Sequence, residues 1–135
     1  MIHKGSCLCG GVKYEIHGAL TGVLNCHCSD CRKAHGAAFR TRASVRTADF
    51  KWISGEELIT HYEAKPGEFR TFCGVCGSNL VTKFKSKPEV YGFPLGTLDT
   101  DPGVKAGCHV FVSDKAPWHE ITDPLPQYAE FSPAS

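Results

Sequence analysis

The chain reads as a mainly β protein, a small fold of short antiparallel strands with one short helix. Three observations carry that reading. Apolar and polar residues alternate in short runs, the period of strands with one buried face. Glycine- and proline-containing turn signals separate those runs. Only one segment carries helical punctuation at both ends.

The elements follow in order. Val12, Tyr14 and Ile16 alternate with Lys13, Glu15 and His17, which predicts a half-buried strand. Residues 20–25 form a short extended segment. Residues 29–35 are the helical candidate, one or two turns capped by Ser29 or Asp30 and stopped by Gly36. Residues 39–46 alternate again, with Arg40, Arg42 and Arg46 on one side. Residues 50–53, 58–62 and 69–72 continue the strands, separated by Ser54-Gly55-Glu56 and Lys65-Pro66-Gly67-Glu68. Residues 80–84, 90–93 and 108–112 add three more. The tail from Asp123, with Pro124, Pro126 and Pro133, is expected to pack loosely on the surface. No repeat or linker divides the 135 residues, so one domain over 1–135 is expected, with a Pro-rich tail at 124–135.

Hydrophobic content of 41% and charged content of 21% belong to an ordinary soluble protein. No stretch is apolar for long enough to span a membrane. Met1-Ile2-His3-Lys4-Gly5 has no apolar signal segment, so the expected location is cytoplasmic. The net charge of +1 comes without a basic run, which argues against nucleic acid as a partner.

Seven of the eight cysteines fall into three clusters: Cys7-Leu8-Cys9, Cys26-His27-Cys28-Ser29-Asp30-Cys31 and Cys73-Gly74-Val75-Cys76. A C-x-C pair is poorly placed to bridge internally, and three cysteines within six residues cannot all pair without strain. Paired knuckles of this kind wrap a metal. Cys7, Cys9, Cys73 and Cys76 make a closed four-thiolate site, whereas Cys26, Cys28 and Cys31 leave one position open. Two zinc ions are therefore expected. The closed one would join the chain's N-terminal hairpin to its middle. The open one suits exchange of a soft sulfur ligand, and hence the making or breaking of a carbon–sulfur bond.

His27 lies between two ligands, so its side chain should point away from their metal. His35 follows Cys31 by four residues, on the same helical face, and a supporting or surface role is preferred for it over metal ligation. Cys108 reads as a small buried hydrophobe. His109 and His119 are candidates to approach the site, without a signal that makes either catalytic. Arg40, Arg42 and Lys115 read as exposed strand or loop residues. Phe39, Trp52, Phe72, Phe84, Tyr91, Phe93, Phe111 and Trp118 read as core or pocket walls, Trp118 as a packing anchor.

Gly5-Ser6-Cys7-Leu8-Cys9-Gly10-Gly11-Val12, Cys26-His27-Cys28-Ser29-Asp30-Cys31-Arg32-Lys33 and Phe72-Cys73-Gly74-Val75-Cys76-Gly77-Ser78 closely resemble the glutathione-dependent formaldehyde-activating enzyme family, which also includes centromere protein V. Gly96-Thr97-Leu98-Asp99, His109-Val110-Phe111-Val112 and Lys115-Ala116-Pro117-Trp118 extend the resemblance over residues 4–123. It implies a tent-like β fold, a structural zinc on Cys7, Cys9, Cys73 and Cys76, and a catalytic zinc on Cys26, Cys28 and Cys31. The implied activity is condensation of formaldehyde with glutathione to S-hydroxymethylglutathione, a carbon–sulfur lyase reaction with a small thiol or its adduct as partner. On that reading Arg40, Arg42 or Lys115 are the candidates to contact glutathione carboxylates, although each reads first as an exposed strand or loop residue. The competing expectation is a non-catalytic zinc module that carries glutathione or binds a protein.

Overall fold

The alternation of Tyr14 and Ile16 with charged neighbours builds one wall of the core. Both side chains are buried, at 2% and 0% exposure, while Lys13 is exposed. The structure is a computed structural model and describes residues 2–133. A three-stranded antiparallel sheet is made by β1 (His3–Ser6), β2 (Lys13–Ile16) and β5 (Phe50–Ser54), in the order β1-β2-β5. A second sheet contains β3 (Thr21–Cys26), β4 (Arg40–Arg46), β6 (Ile59–Lys65), β7 (Glu68–Cys73), β8 (Asn79–Phe84), β9 (Val90–Pro94) and β10 (His109–Val110). Its order is β10-β3-β4-β9-β8-β7-β6, antiparallel throughout except for the parallel pair β10–β3. The single α-helix among the described residues, α1 (Ser29–His35), lies between β3 and β4 in the chain.

Tyr14, Ile16 and Phe50 of the small sheet pack against Ala43, Val45, Val81 and Phe93 of the large one. Tyr14 stacks on Phe50 with ring centroids 4.9 Å apart and meets Phe93 edge-on at 6.2 Å. Its hydroxyl is satisfied by Thr97 Oγ1 at 2.6 Å, as a buried phenol requires.

The ring of Tyr14 leaves room only for hydrogen at Gly5 on the neighbouring strand, where an added Cβ would overlap it. Gly5→Ala is expected to destabilise the fold by roughly 1–3 kcal/mol through overpacking. A urea midpoint indistinguishable from wild type would contradict this packing.

Most predicted strands form, with ends displaced by one to three residues. Three expectations need correction. Over residues 108–112 only His109–Val110 is strand, because Phe111 adopts a left-handed backbone (φ 54°) and the chain turns through 112–114. The tail does not pack loosely. His109 N–H donates to Pro126, Tyr128 N–H to His109, and Phe111 N–H to Glu130, so β10 has a partner on its second edge. Cys108 is only half-buried, beside the cluster of Leu24, Cys26, Cys31 and Val110.

Candidate metal centres

Two similar knuckles build the first centre. Cys7 leaves β1 and its N–H donates to Val12 O at 3.0 Å; Cys73 closes β7 and donates to Ser78 O at 3.0 Å. Gly10 (φ 77°) and Gly77 (φ 78°) reverse the two loops in a conformation favouring glycine. Each loop also aims a backbone N–H at a sulfur: Val12 at Cys7 Sγ (3.2 Å) and Val75 at Cys73 Sγ (3.4 Å). Such donors favour the thiolate form. The Ser78 hydroxyl, with its backbone N–H, similarly brings the Cys76 thiol down to about 5.

The sulfurs of Cys7, Cys9, Cys73 and Cys76 lie within 4.8 Å of one another. Cys7 Sγ is 3.5 Å from Cys9 Sγ, which is 3.9 Å from Cys73 Sγ. A tetrahedron with metal–sulfur bonds of ~2.3 Å has edges of ~3.8 Å, so the four donors fit zinc in both type and spacing.

The second centre gathers Cys26, Cys28 and Cys31, again with sulfurs within 4.8 Å. Cys26 ends β3, and Cys28 takes extended backbone angles and caps α1, its sulfur accepting from Cys31 N–H at 3.3 Å. The cap therefore belongs to a cysteine of the cluster, in place of the expected Ser29 or Asp30. Gly36 ends the helix left-handed, as its sequence position predicts. Cys26 and Cys31 are buried and Cys28 is half-buried, so the cluster meets solvent on the Cys28 side. Three soft thiolates in this arrangement also suit zinc.

Two guanidinium groups stand beside these sulfurs. Arg70 of β7 donates from Nη2 to Cys31 Sγ at 3.5 Å. Arg40 opens β4 directly opposite Cys26 in the β3–β4 register. It is 5% exposed, contrary to the exposed strand residue expected from sequence. Hydrogen bonds with Cys26 and Cys28, reinforced by Arg70, hold the Cys31 thiol far below its ordinary range. Burial, with Arg40 nearby, lowers His35 to about 4 and keeps its ring neutral at physiological pH. His35 does not join the sulfur cluster among the described residues.

His27 points away from the sulfurs, as its position between two of them predicts. Its Nε2 lies 2.8 Å from His109 Nδ1, and His109 Nε2 reaches Asp123 at 3.0 Å. The chain from Asp123 through His109 to His27 braces the loop that carries Cys26 and Cys28. Backbone bonding adds to the brace, since His27 N–H donates to Val110 O at 3.0 Å. Burial, then the neighbouring His109, His119 and Lys115, depresses His27 to about 4. Lys115 itself is tied to His119 O at 2.6 Å, whereas Arg42 donates to Ser44 Oγ at 3.2 Å. Trp118 is 71% exposed and anchors no core, which corrects the packing role expected of it.

Sequence reasoning missed Arg70 and Asp123. Arg70 sits 39 residues from Cys31 in an unremarkable alternating run, and only the placement of α1 brings them together. Asn79 of β8 donates to Ala34 O at 3.0 Å, and Lys65 of β6 lies 3.6 Å from Asp30, so α1 reaches across the strands flanking β7.

The profile of the family described as glutathione-dependent formaldehyde-activating enzyme matches residues 2–114. This chain belongs to that family. A Halomonas elongata member named "Putative glutathione-dependent formaldehyde-activating enzyme" is 31% identical over 129 residues, spanning 90% of this chain and 82% of the other. A crystal structure of a Rhodobacter sphaeroides protein is similar with a TM-score of 0.59 and 30% identity, covering 74% of this chain and 92% of that one. The formaldehyde-activating family profile thus includes both cysteine centres and His109, and it ends before the Lys115–Trp118 segment and Asp123.

Proposed function

We propose that this protein is a zinc-dependent carbon–sulfur lyase of the formaldehyde-activating type, joining a small thiol to formaldehyde. The observation that carries the reading is the contrast between the two centres. Four thiolates saturate one tetrahedron, and three leave the other with a position for an exchangeable ligand. In this reading Cys7, Cys9, Cys73 and Cys76 hold a structural zinc, and Cys26, Cys28 and Cys31 hold the reactive one. A zinc bound there supplies a Lewis-acidic position that lowers the pKa of an incoming thiol.

The residues of the chain set the conditions for that chemistry. The cap formed by Cys28 ties the cluster to α1, and the His27–His109–Asp123 chain fixes the loop from the opposite side. In the overall reaction the thiol sulfur bonds to the aldehyde carbon, the carbonyl π-bond opens, and the thiol proton ends on the new hydroxyl. Glutathione is the thiol favoured by family membership.

Protein with both centres filled by zinc is expected to accelerate formation of S-hydroxymethylglutathione at least about tenfold over the uncatalysed reaction, a modest contribution for positioning a nucleophile. NMR exchange spectroscopy of the glutathione–formaldehyde equilibrium measures both rates. A rate equal to background in fully metallated protein would remove this substrate assignment.

A further inference from the structure

The chain covers two of its sheet edges itself. Along β10 the tail supplies backbone partners at Pro126 and Tyr128. Along β1, Asp99 N–H donates to Lys4 O at 2.7 Å and Lys4 N–H to Thr100 Oγ1 at 3.1 Å. β6 ends the large sheet on its other side, and among the described residues no strand pairs with its outer edge. Thr60, His61, Tyr62 and Glu63 are all exposed, Tyr62 at 63%. Such a row of backbone donors and acceptors is a template for another strand unless proline, lysine or a bulge blunts it. β6 contains no proline, and its irregularity lies between Glu63 and Lys65, which leaves residues 59–63 regular.

Backbone alternation decides how a second strand docks there. Leu58 O accepts from Gly74 N–H at 2.8 Å, so Leu58 faces β7. Alternate residues of an antiparallel ladder point to opposite sides, which turns the N–H and C=O of Ile59, His61 and Glu63 outward. A second copy of β6 related by a two-fold axis can meet those groups in different registers, and charge separates them. An axis at Glu63 opposes Glu63 to itself and His61 to Lys65. An axis at His61 opposes that ring to itself and Ile59 to Glu63. An axis at Tyr62 opposes His61 of each copy to Glu63 of the other. Lys83 favours this last register, since its ammonium lies 3.2 Å from His61 Nε2. An ammonium only donates, so Nε2 accepts and Nδ1 keeps the ring hydrogen. A carboxylate opposite His61 therefore meets a donor with a cation behind it.

We propose that β6 is a self-pairing edge, on which two copies of the chain join antiparallel about Tyr62 and continue the large sheet from one into the other. Each His61–Glu63 pair exchanges both of its main-chain hydrogen bonds, and the Tyr62 side chains meet across the axis. A strand of seven residues spans only about 23 Å. The contact is therefore smaller than a standard interface, and the dimer is a weak one.

The test is sedimentation velocity of the full-length two-zinc protein over a range of concentrations. Wild type is expected to be monomeric near about 1 µM and mainly dimeric near about 200 µM, the range of a small interface. Glu63→Lys and His61→Glu should each weaken association about tenfold or more, by setting like charges opposite each other. Both positions are exposed on an edge, so the thermal transition of each variant should match wild type. An equal mixture of the two variants restores unlike pairs at both positions and should recover the dimer. Wild type that stays monomeric at about 200 µM would overturn the proposal. A dimer that both variants leave intact would overturn it too, because it would use another surface. Weakening by both variants without recovery on mixing would contradict the Tyr62 register and with it the proposal.

Discussion

Replacing Cys73 by serine is expected to unfold most of the protein at room temperature. Cys73 is fully buried at the end of β7, and its sulfur stands 3.9 Å from that of Cys9, which is 64 residues away in the chain. A zinc in this centre would join the small sheet's β1–β2 hairpin to the β7–β8 hairpin of the large sheet. Among the described residues, the apolar cluster beneath it is small: Cys7, Val12, Cys73 and Leu80, with partly buried neighbours such as Leu58. Structural zinc sites contribute about 10–16 kcal/mol to small zinc domains. The net stability of a domain is about 5–15 kcal/mol. Removing one of four ligands therefore forfeits a share comparable to the whole. Loss of the cooperative thermal transition, together with loss of zinc, is the expected result; a melting curve like that of wild type would show that the four cysteines hold no stabilising metal.

Cys28→Ser is expected to do the opposite, abolishing thiol addition while leaving the fold. Cys28 is half-buried and caps α1 by accepting from Cys31 N–H. Serine is a preferred cap and accepts the same bond, so the helix should lose no more than about 1 kcal/mol. The second centre keeps only two thiolates, too few to retain its metal against water. The exchange rate should return to the uncatalysed background, because the proposed chemistry depends on a metal held by this centre. Glutathione–formaldehyde exchange measured beside the melting curve separates these effects. Normal activity in Cys28→Ser protein would exclude this centre from the chemistry.

The grouping of seven cysteines into a four-sulfur and a three-sulfur cluster was legible in their spacing. A C-x-C or C-x-x-C knuckle places two sulfurs near one point whatever surrounds it, so local sequence suffices. Strand positions were legible for the same local reason: the burial of Tyr14, Ile16, Ala43 and Val45 is a period of two written in side chains. What escaped depends on packing between distant segments. The burial of Arg40 follows from its register opposite Cys26. The bond from Arg70 to Cys31 follows from where α1 lies, and the link from Asp123 to His109 from the course of the tail. Trp118 carried a misleading signal, since an aromatic residue after proline reads as an anchor although this one is exposed. Phe111 reads as strand in the sequence because hydrophobic patterning does not report a left-handed backbone.

The most direct test of the account is zinc per chain, measured on protein purified without chelator, for wild type and for Cys28→Ser. Two zincs falling to one, with the thermal transition retained, is the predicted result. One zinc per chain in both proteins, or loss of both zincs and of the transition in Cys28→Ser, would contradict the division into a closed structural centre and an independent open one.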